Sequence, residues 1–274
     1  MNPAAIGGGF NPNIPNAARM YDYFLGGKDN LPVDREAAQQ VLRYVPEVPI
    51  GIRENRGFLQ RAVRYLAGQG IRQFLDIGAG LPTQRNVHQV AAEYAPGART
   101  VYVDNDLQVL AHARALLQDS PLVLVAEGDL RRPEEIMRDP DIRRHLDFDQ
   151  PIAVLLLAIV HFIPDSDDPK GIIARIRDSL VPGSHIALSH VVIDERPQAA
   201  PGVERVYQSA SAPFVARMSD QVTPFFDGLE LADPGVVNLH EWRPDIHHFT
   251  PRLEQVGAYF LCGVGRVPER PSGS

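Results

Sequence analysis

The sequence predicts an α/β fold: a doubly wound, mostly parallel, Rossmann-like sheet of seven strands with a helical cap at its N-terminus. Three observations predict it. From Ile71 onward, short apolar strands alternate with helix-length amphipathic segments, the pattern of βα repeats around a parallel sheet. The run Ile152 to Leu157 is apolar at every position, as a central strand covered on both faces requires. Three helix-like stretches precede the first strand.

Residues 1–14 are Gly, Pro and Asn punctuation and read as a flexible arm. The cap is expected over 15–70. Its first helix runs from about Asn16 to Leu25 and stops at Gly26-Gly27; its second starts near Pro32 and ends before Pro46. The third carries Ile52, Leu59, Ala62, Val63 and Leu66 at helical spacing, with Gly68 as its stop. The core is expected over 71–267. Phe74 to Ile77 is its first strand, followed by a helix with Thr83 as N-cap and Val87, Val90, Ala91 and Tyr94 on one face. Thr100 to Val103 is the second strand, and Leu107, Leu110, Ala111 and Leu117 mark the next helix. Leu122 to Ala126 is the third strand, Pro133 opens a short helix, and Ile152 to Leu157 is the fourth strand. Asp168-Pro169 has the N-cap and first-turn proline of a helix carrying Ile172, Ile173, Ile176 and Leu180. Ser184 to Ser189 is the fifth strand; after an insertion over 198–234, Val236 to Leu239 and Val256 to Val267 close the sheet, and 268–274 is a tail. Parallel connections of this kind are right-handed.

Of the 274 residues, 27 are Lys or Arg and 34 Asp or Glu, a net charge of −7 with no basic run, so neither nucleic acid nor an anionic membrane surface is an expected partner. One cysteine, Cys262, excludes an internal disulfide and a cysteine-rich metal site. Met1 to Phe10 lacks the apolar core and cationic flank of a signal peptide. The longest apolar run, Pro151 to Ile163, is interrupted by His161 and falls short of the roughly 20 residues that span a bilayer. A cytoplasmic protein is the expectation; no oligomeric state is read from the sequence.

In open parallel sheets, ligands bind at the carboxyl ends of the strands, where strand order reverses. The first such end is Asp76-Ile77-Gly78-Ala79-Gly80, whose glycines permit a sharp turn and close backbone approach to a ligand; taken alone, it is a weak signal whose other reading is a tight turn without one. The second carries Asp104, 24 residues after Gly80, a carboxylate suited to two ribose hydroxyls. Asp104-Asn105-Asp106 also reads as a helix cap, a task that Asp106 alone can meet. The third end, Gly128-Asp129-Leu130, suits an adenine amino group and ring. Asn105 and Ala158, after the fourth strand, complete the strand-end set. A dinucleotide fingerprint needs a third glycine where Thr83 stands, and Asp76 would repel a pyrophosphate; a sulfonium amino acid instead brings positive charge. S-adenosylmethionine is therefore the expected cofactor, and a nicotinamide oxidoreductase is disfavoured.

Leu75 to Gly80, with Asp104 and Gly128-Asp129, resembles the motif series of class I methyltransferases. The stretch Pro15 to Asn30 (PNAARMYDYFLGGKDN), with Asp34 to Ala37 and Arg53 to Arg56, resembles a bacterial family of S-adenosylmethionine-dependent methyltransferases long catalogued as a domain of unknown function. The match runs from about Asn11 to Val267. It implies the fold and the cofactor, and no substrate.

The expected activity is methyl transfer to a small-molecule acceptor; the alternative is a non-catalytic S-adenosylmethionine sensor or partner-binding module. Tyr21 to Asn30 reads as a lid, with Tyr21, Gly26 and Arg56 near the methionine end of the cofactor, or as a simple packing cap with Arg35, Arg53 and Arg56 in surface ion pairs. If the acceptor needs a general base, His161 at the end of the fourth strand is the first candidate and His190 the second; a lone histidine at a strand end is more often a structural or cofactor-wall residue. His88 and His112 fall on helices. His247-His248 has no third ligand at suitable spacing, so no metal is expected. Tyr207, Phe214, Met218, Phe225 and Phe226 of the insertion read as an acceptor pocket or a satellite core, and Trp242 as a pocket wall or a core anchor.

Overall fold

The computed structural model describes residues 11–82, 85–117, 120–245 and 259–269. Three helices come first: α1 (Ala17–Phe24), α2 (Pro32–Tyr44) and α3 (Val48–Gly68). Asn16 caps α1 by accepting from the Arg19 N–H, and α1 ends with Gly26 at φ +79°. There the Gly27 N–H reaches the Asp22 carbonyl and the Gly26 N–H that of Tyr23, a six-residue closure that only glycine adopts cheaply. The same closure ends α3, but the left-handed residue is Gly70 (φ +90°), two positions beyond the expected stop at Gly68. All five apolar residues expected on α3 are buried.

The alternation follows: β1 (Gln73–Ile77), α4 (Val87–Tyr94), β2 (Arg99–Asp104), α5 (Leu107–Leu117), β3 (Val123–Glu127), α6 (Pro133–Arg138), α7 (Pro140–His145), β4 (Ala153–Leu157), α8 (Pro169–Asp178) and β5 (His185–Val191). Then come α9 (Ala200–Tyr207), α10 (Ser219–Val222), β6 (Glu230–Leu231), β7 (Val237–Asn238) and β8 (Phe260–Arg266). The sheet has the order β3-β2-β1-β4-β5-β8-β6, with β7 also on β8. Strands β1 to β5 are parallel, and β8 runs antiparallel to β5, β6 and β7. The order reverses between β1 and β4, which sets the ligand-binding edge.

The sheet therefore has eight strands rather than seven, because the two-residue, exposed β6 pairs from within the segment read as an insertion. Two helix faces also differ from expectation. Tyr94 of α4 is exposed, and α5 buries Val109, Leu110 and Ala113 while Leu107 points outward. Thr83 lies outside the described residues; α4 is capped at Asn86, whose N–H donates to the Gln89 side chain. His247, His248 and the start of the last expected strand, 256–258, also lie outside them.

Strand alternation divides the core. Leu75, Ile77, Val101, Val103, Leu156 and Leu188 face α6 and α8; Phe74, Tyr102, Leu155, Ala187 and Cys262 face α3 and α4. Trp242 is fully buried on the second side, edge-on to Phe58 (5.2 Å) and Tyr65 (5.7 Å), so it is a core anchor and not a pocket wall. A third cluster joins Met20, Phe24, Ala38, Val41 and Ile52 of the cap to Val203 and Val206 of α9. Each large apolar side chain so buried contributes about 1.5–3 kcal/mol. The cap and the insertion thus hold each other.

Candidate functional site

The glycine turn after β1 is held by β2: the Gly78 and Ala79 N–H groups both donate to the Val103 carbonyl (2.8 and 3.2 Å). Gly78 has φ +77°, and a Cβ there would sit 2.5 Å from the Ile159 side chain. Gly80 has φ +64°, and no described residue comes within 4 Å of where its Cβ would be. Gly78 is thus required by both backbone and packing, whereas Gly80 borders open space.

Two acids flank this turn. Asp104 joins it to the next strand end: one oxygen accepts from the Gly80 N–H (2.9 Å), the other from the Asp106 N–H (3.0 Å). Asp106 caps α5 through the Gln108 and Val109 N–H groups, as read from the sequence. Burial, with the Asp106 charge, pushes Asp104 up to about 6 against the backbone N–H groups it accepts. Asp76 is 7% exposed and no hydrogen-bond donor among the described residues reaches it. Its burial, with the Asp104 charge, pushes it up to about 7 against the opposing pull of Arg56. The third end follows directly, since the Gly128 N–H donates to the Asp104 carbonyl (3.0 Å). Asp129 is forked by Arg131 (2.6–3.1 Å); burial alone would raise its pKa, but Arg131 holds it below the usual range. Leu130 is buried beside it, and Asn105 is exposed.

The cap reaches this edge. Asn16 of the α1 cap donates to Asp106, and Arg19 to Gln108 (2.8 Å). Arg56, on α3, donates to the Arg85 carbonyl and the Asn86 side chain, and its charge acts on Asp76 and Tyr21. Arg35 bonds Asn30 rather than an acid (2.8 and 3.0 Å). Gly26 joins the group only through the end of α1. A chain of hydrogen bonds that sequence reasoning missed ties cap to sheet. The Tyr21 hydroxyl accepts from Asn55 (3.1 Å), Asn55 from Ser189 (2.6 Å), and the Ser189 hydroxyl from the Ala158 N–H (3.0 Å). Ala158 is left-handed (φ 56°), a backbone strain placed on the ligand-binding edge.

Beyond Tyr21 and Ala158 lies a cavity of about 100 Å³ between α1, α2, α9 and the ends of β4 and β5. The insertion contributes Tyr207 and Phe214 to its wall, while Phe225 and Phe226 belong to the main core. His161 lines the cavity, 4% exposed, with no hydrogen bond to its Nδ1. Burial, with His190 and the Arg217 charge, holds it well below the usual histidine range, so it is neutral. His190 lies behind it (5.4 Å between rings) and off the cavity wall, with both nitrogens engaged: Nδ1 to the Val191 carbonyl (2.6 Å), Nε2 to Arg217 (3.0 Å). Burial and Arg217 depress it to about 3. His88 bonds the Tyr102 hydroxyl, and His112 approaches Asp29 on the surface. No three His, Cys, Asp or Glu side chains among the described residues are grouped to hold a metal, and no described helix is long and apolar enough to cross a membrane.

A family model described as S-adenosyl methyltransferase matches residues 9–268. The chain belongs to this family. A DUF574-family protein from Streptomyces avermitilis MA-4680 is 40% identical with a TM-score of 0.87, covering 93% of this chain and 98% of that one. A second structure, from Thermobifida fusca YX, is 38% identical with a TM-score of 0.86 over 93% and 96%. No curated protein matches the chain.

The methyltransferase uses S-adenosylmethionine, and two observations fit its residues to that cofactor. The buried Asp76 carboxylate, with no donor among the described residues, suits a ligand bearing an ammonium and a sulfonium, and no described residue fills the space a Cβ at Gly80 would take.

Proposed function

We propose that the methyltransferase acts in the cytoplasm on a small-molecule acceptor seated in the cavity beyond Tyr21. The observation that carries this reading is the Asp76 carboxylate, buried at the glycine turn with no hydrogen-bond donor among the described residues, on the same sheet edge as Ala158, which lines that cavity. S-adenosylmethionine supplies a methyl group already activated by the sulfonium that carries it.

The residues bind and align. Asp76 would receive the ammonium, and Arg56 and Tyr21 would meet the methionine end, where an arginine suits a carboxylate. Gly78, Ala79 and Gly80 let the backbone approach, with Gly26 ending the helix that closes above. Asp104 keeps a lone pair on each oxygen beyond the two backbone bonds it makes, enough for both ribose hydroxyls. Asn105 would lie at the ribose rim; Gly128, Asp129 and Leu130 would hold the adenine edge, and Ala158 would border the reacting end. His161, neutral and on the cavity wall, would accept a hydrogen bond from the acceptor and orient it, and His190 is a positioning residue behind it. Alignment of this kind supplies much of the rate in a displacement whose methyl is already activated.

A screen of small molecules with the purified protein, read as a mass gain of one methyl, tests the reading; methylation of macromolecules alone would overturn it. Asp104→Ala is expected to weaken cofactor binding by about 1.5–3 kcal/mol, the worth of hydrogen bonds to a charged group. Unchanged affinity would remove Asp104 from the ribose role.

A further inference from the structure

The acceptor cavity is chemically selective. Its wall is aliphatic and aromatic, with Phe24 and Val41 from the cap, Val203 from α9 and Phe260 from β8. One end is a cluster of rings: His161 lies 4.5 Å from Phe162 and 5.4 Å from Phe214, and Tyr207 lies 5.4 Å from Phe214. The single charged side chain among the described lining residues is Arg196. Glu47 forks it at 2.8 and 3.1 Å, and its guanidinium lies 5.6 Å over the Tyr259 ring, so its charge is balanced. A charged guest would lose its water with no counterion to receive it.

Polar groups are placed at the ring cluster. His161 lines the cavity, is more than nine-tenths buried and neutral, and its Nδ1 has no hydrogen-bond partner among the described residues. The Tyr207 hydroxyl has no hydrogen-bond partner among the described residues, and the ring is 7% exposed. Buried polar groups left unmade cost free energy that a ligand can relieve. One hydroxyl does both tasks: it donates to the imidazole and accepts from the tyrosine.

We infer that the methyl acceptor is an uncharged, ring-bearing molecule of the phenol class, whose hydroxyl is held between His161 and Tyr207. This rests on the methyl-transfer reading for its biological sense, but the cavity's preference is measurable without it.

Three matched probes test it on the full chain at neutral pH: 2-naphthol, naphthalene and 2-naphthoate, titrated by calorimetry or ligand fluorescence, with S-adenosylhomocysteine titrated separately. The expected result is 2-naphthol binding about tenfold or more tighter than either partner, a margin that one hydrogen bond and one avoided charge supply. His161→Phe keeps a ring in the wall and removes the acceptor. It should erase the advantage of 2-naphthol over naphthalene while leaving S-adenosylhomocysteine affinity unchanged. Tyr207→Phe, the milder variant, should narrow the same advantage. The inference is overturned if 2-naphthoate binds as well as 2-naphthol, if naphthalene matches it, if none binds, or if both variants keep the preference. Failure of S-adenosylhomocysteine to bind would instead strike the methyl-transfer reading; its binding without any probe would strike the acceptor class alone.

Discussion

Asp76 is where residue-scale chemistry and function meet. A carboxyl with a folded pKa of about 7 takes up protons more readily folded than unfolded, where about 3.9 applies. Asp104, at about 6, does the same. Both groups therefore favour the ligand-free fold at low pH, and that stability is lost as pH rises through the folded values. Cofactor binding has the opposite sign: a cationic ligand selects the ionised form, so affinity rises as pH rises through about 6 and 7. Thermal melts should show the ligand-free protein losing stability across this window, and Asp76→Asn, which cannot ionise, should flatten much of that slope. A slope unchanged in the variant would refute the assignment. The two glycines separate by the same reasoning. Gly78→Ala, strained at φ +77° and pressed on Ile159, is expected to cost about 2–5 kcal/mol of stability. Gly80→Ala should cost only about 1–2 kcal/mol, yet lose cofactor binding, because its methyl enters open space on the ligand side. Chemical denaturation and calorimetry on the pair distinguish these outcomes.

At the scale of elements, the cap is pinned by a buried ion pair. Arg19 Nε lies 2.6 Å from Asp34, with both side chains almost fully buried, and Asp34 also accepts from the Asn16 and Leu31 N–H groups. Arg19→Met leaves that carboxylate buried without its cation and should cost about 3–5 kcal/mol. The loss is expected first as faster hydrogen exchange in α1 and α2, with cofactor affinity falling alongside; uniform exchange across the chain would contradict a cap that opens as a unit. The helices themselves were legible from the sequence because their signals are local: Asn16 before α1, Pro32 opening α2, and Asp168-Pro169 opening α8. The face of α5 that looks outward differs from expectation because Leu107 and Ala111 fit a helical period as well as the buried Val109 and Ala113 do. Strand β6 left no trace, since two exposed residues make no pattern. The Tyr21–Asn55–Ser189 chain was illegible for another reason: its partners lie 34 and 134 residues apart, and a hydrogen bond leaves no periodicity.

For the whole molecule, topology does the assembling. The order reversal between β1 and β4 brings Asp76, Asp104, Asp129 and Ala158 to one edge, and the cap packs there against α9, far along the chain. That convergence was readable in advance because parallel strands joined by helical crossovers present their carboxyl ends on one edge. The cavity was not, since its walls come from α1, α2, α9 and β8 and only tertiary packing joins them. A ligand that binds only this closed assembly stabilises all of it. Cofactor at about 100 times its dissociation constant should add about 2.7 kcal/mol and raise the melting temperature by roughly 5–10 °C. The central claim, that S-adenosylmethionine is received at the glycine turn by the Asp76 carboxylate, is tested most directly by calorimetric titration of the wild type and Asp76→Asn at pH values below and above about 7. The account predicts wild-type binding that tightens with rising pH, and weaker, nearly pH-independent binding in the variant. Equal affinity and equal pH dependence in the two proteins would contradict it.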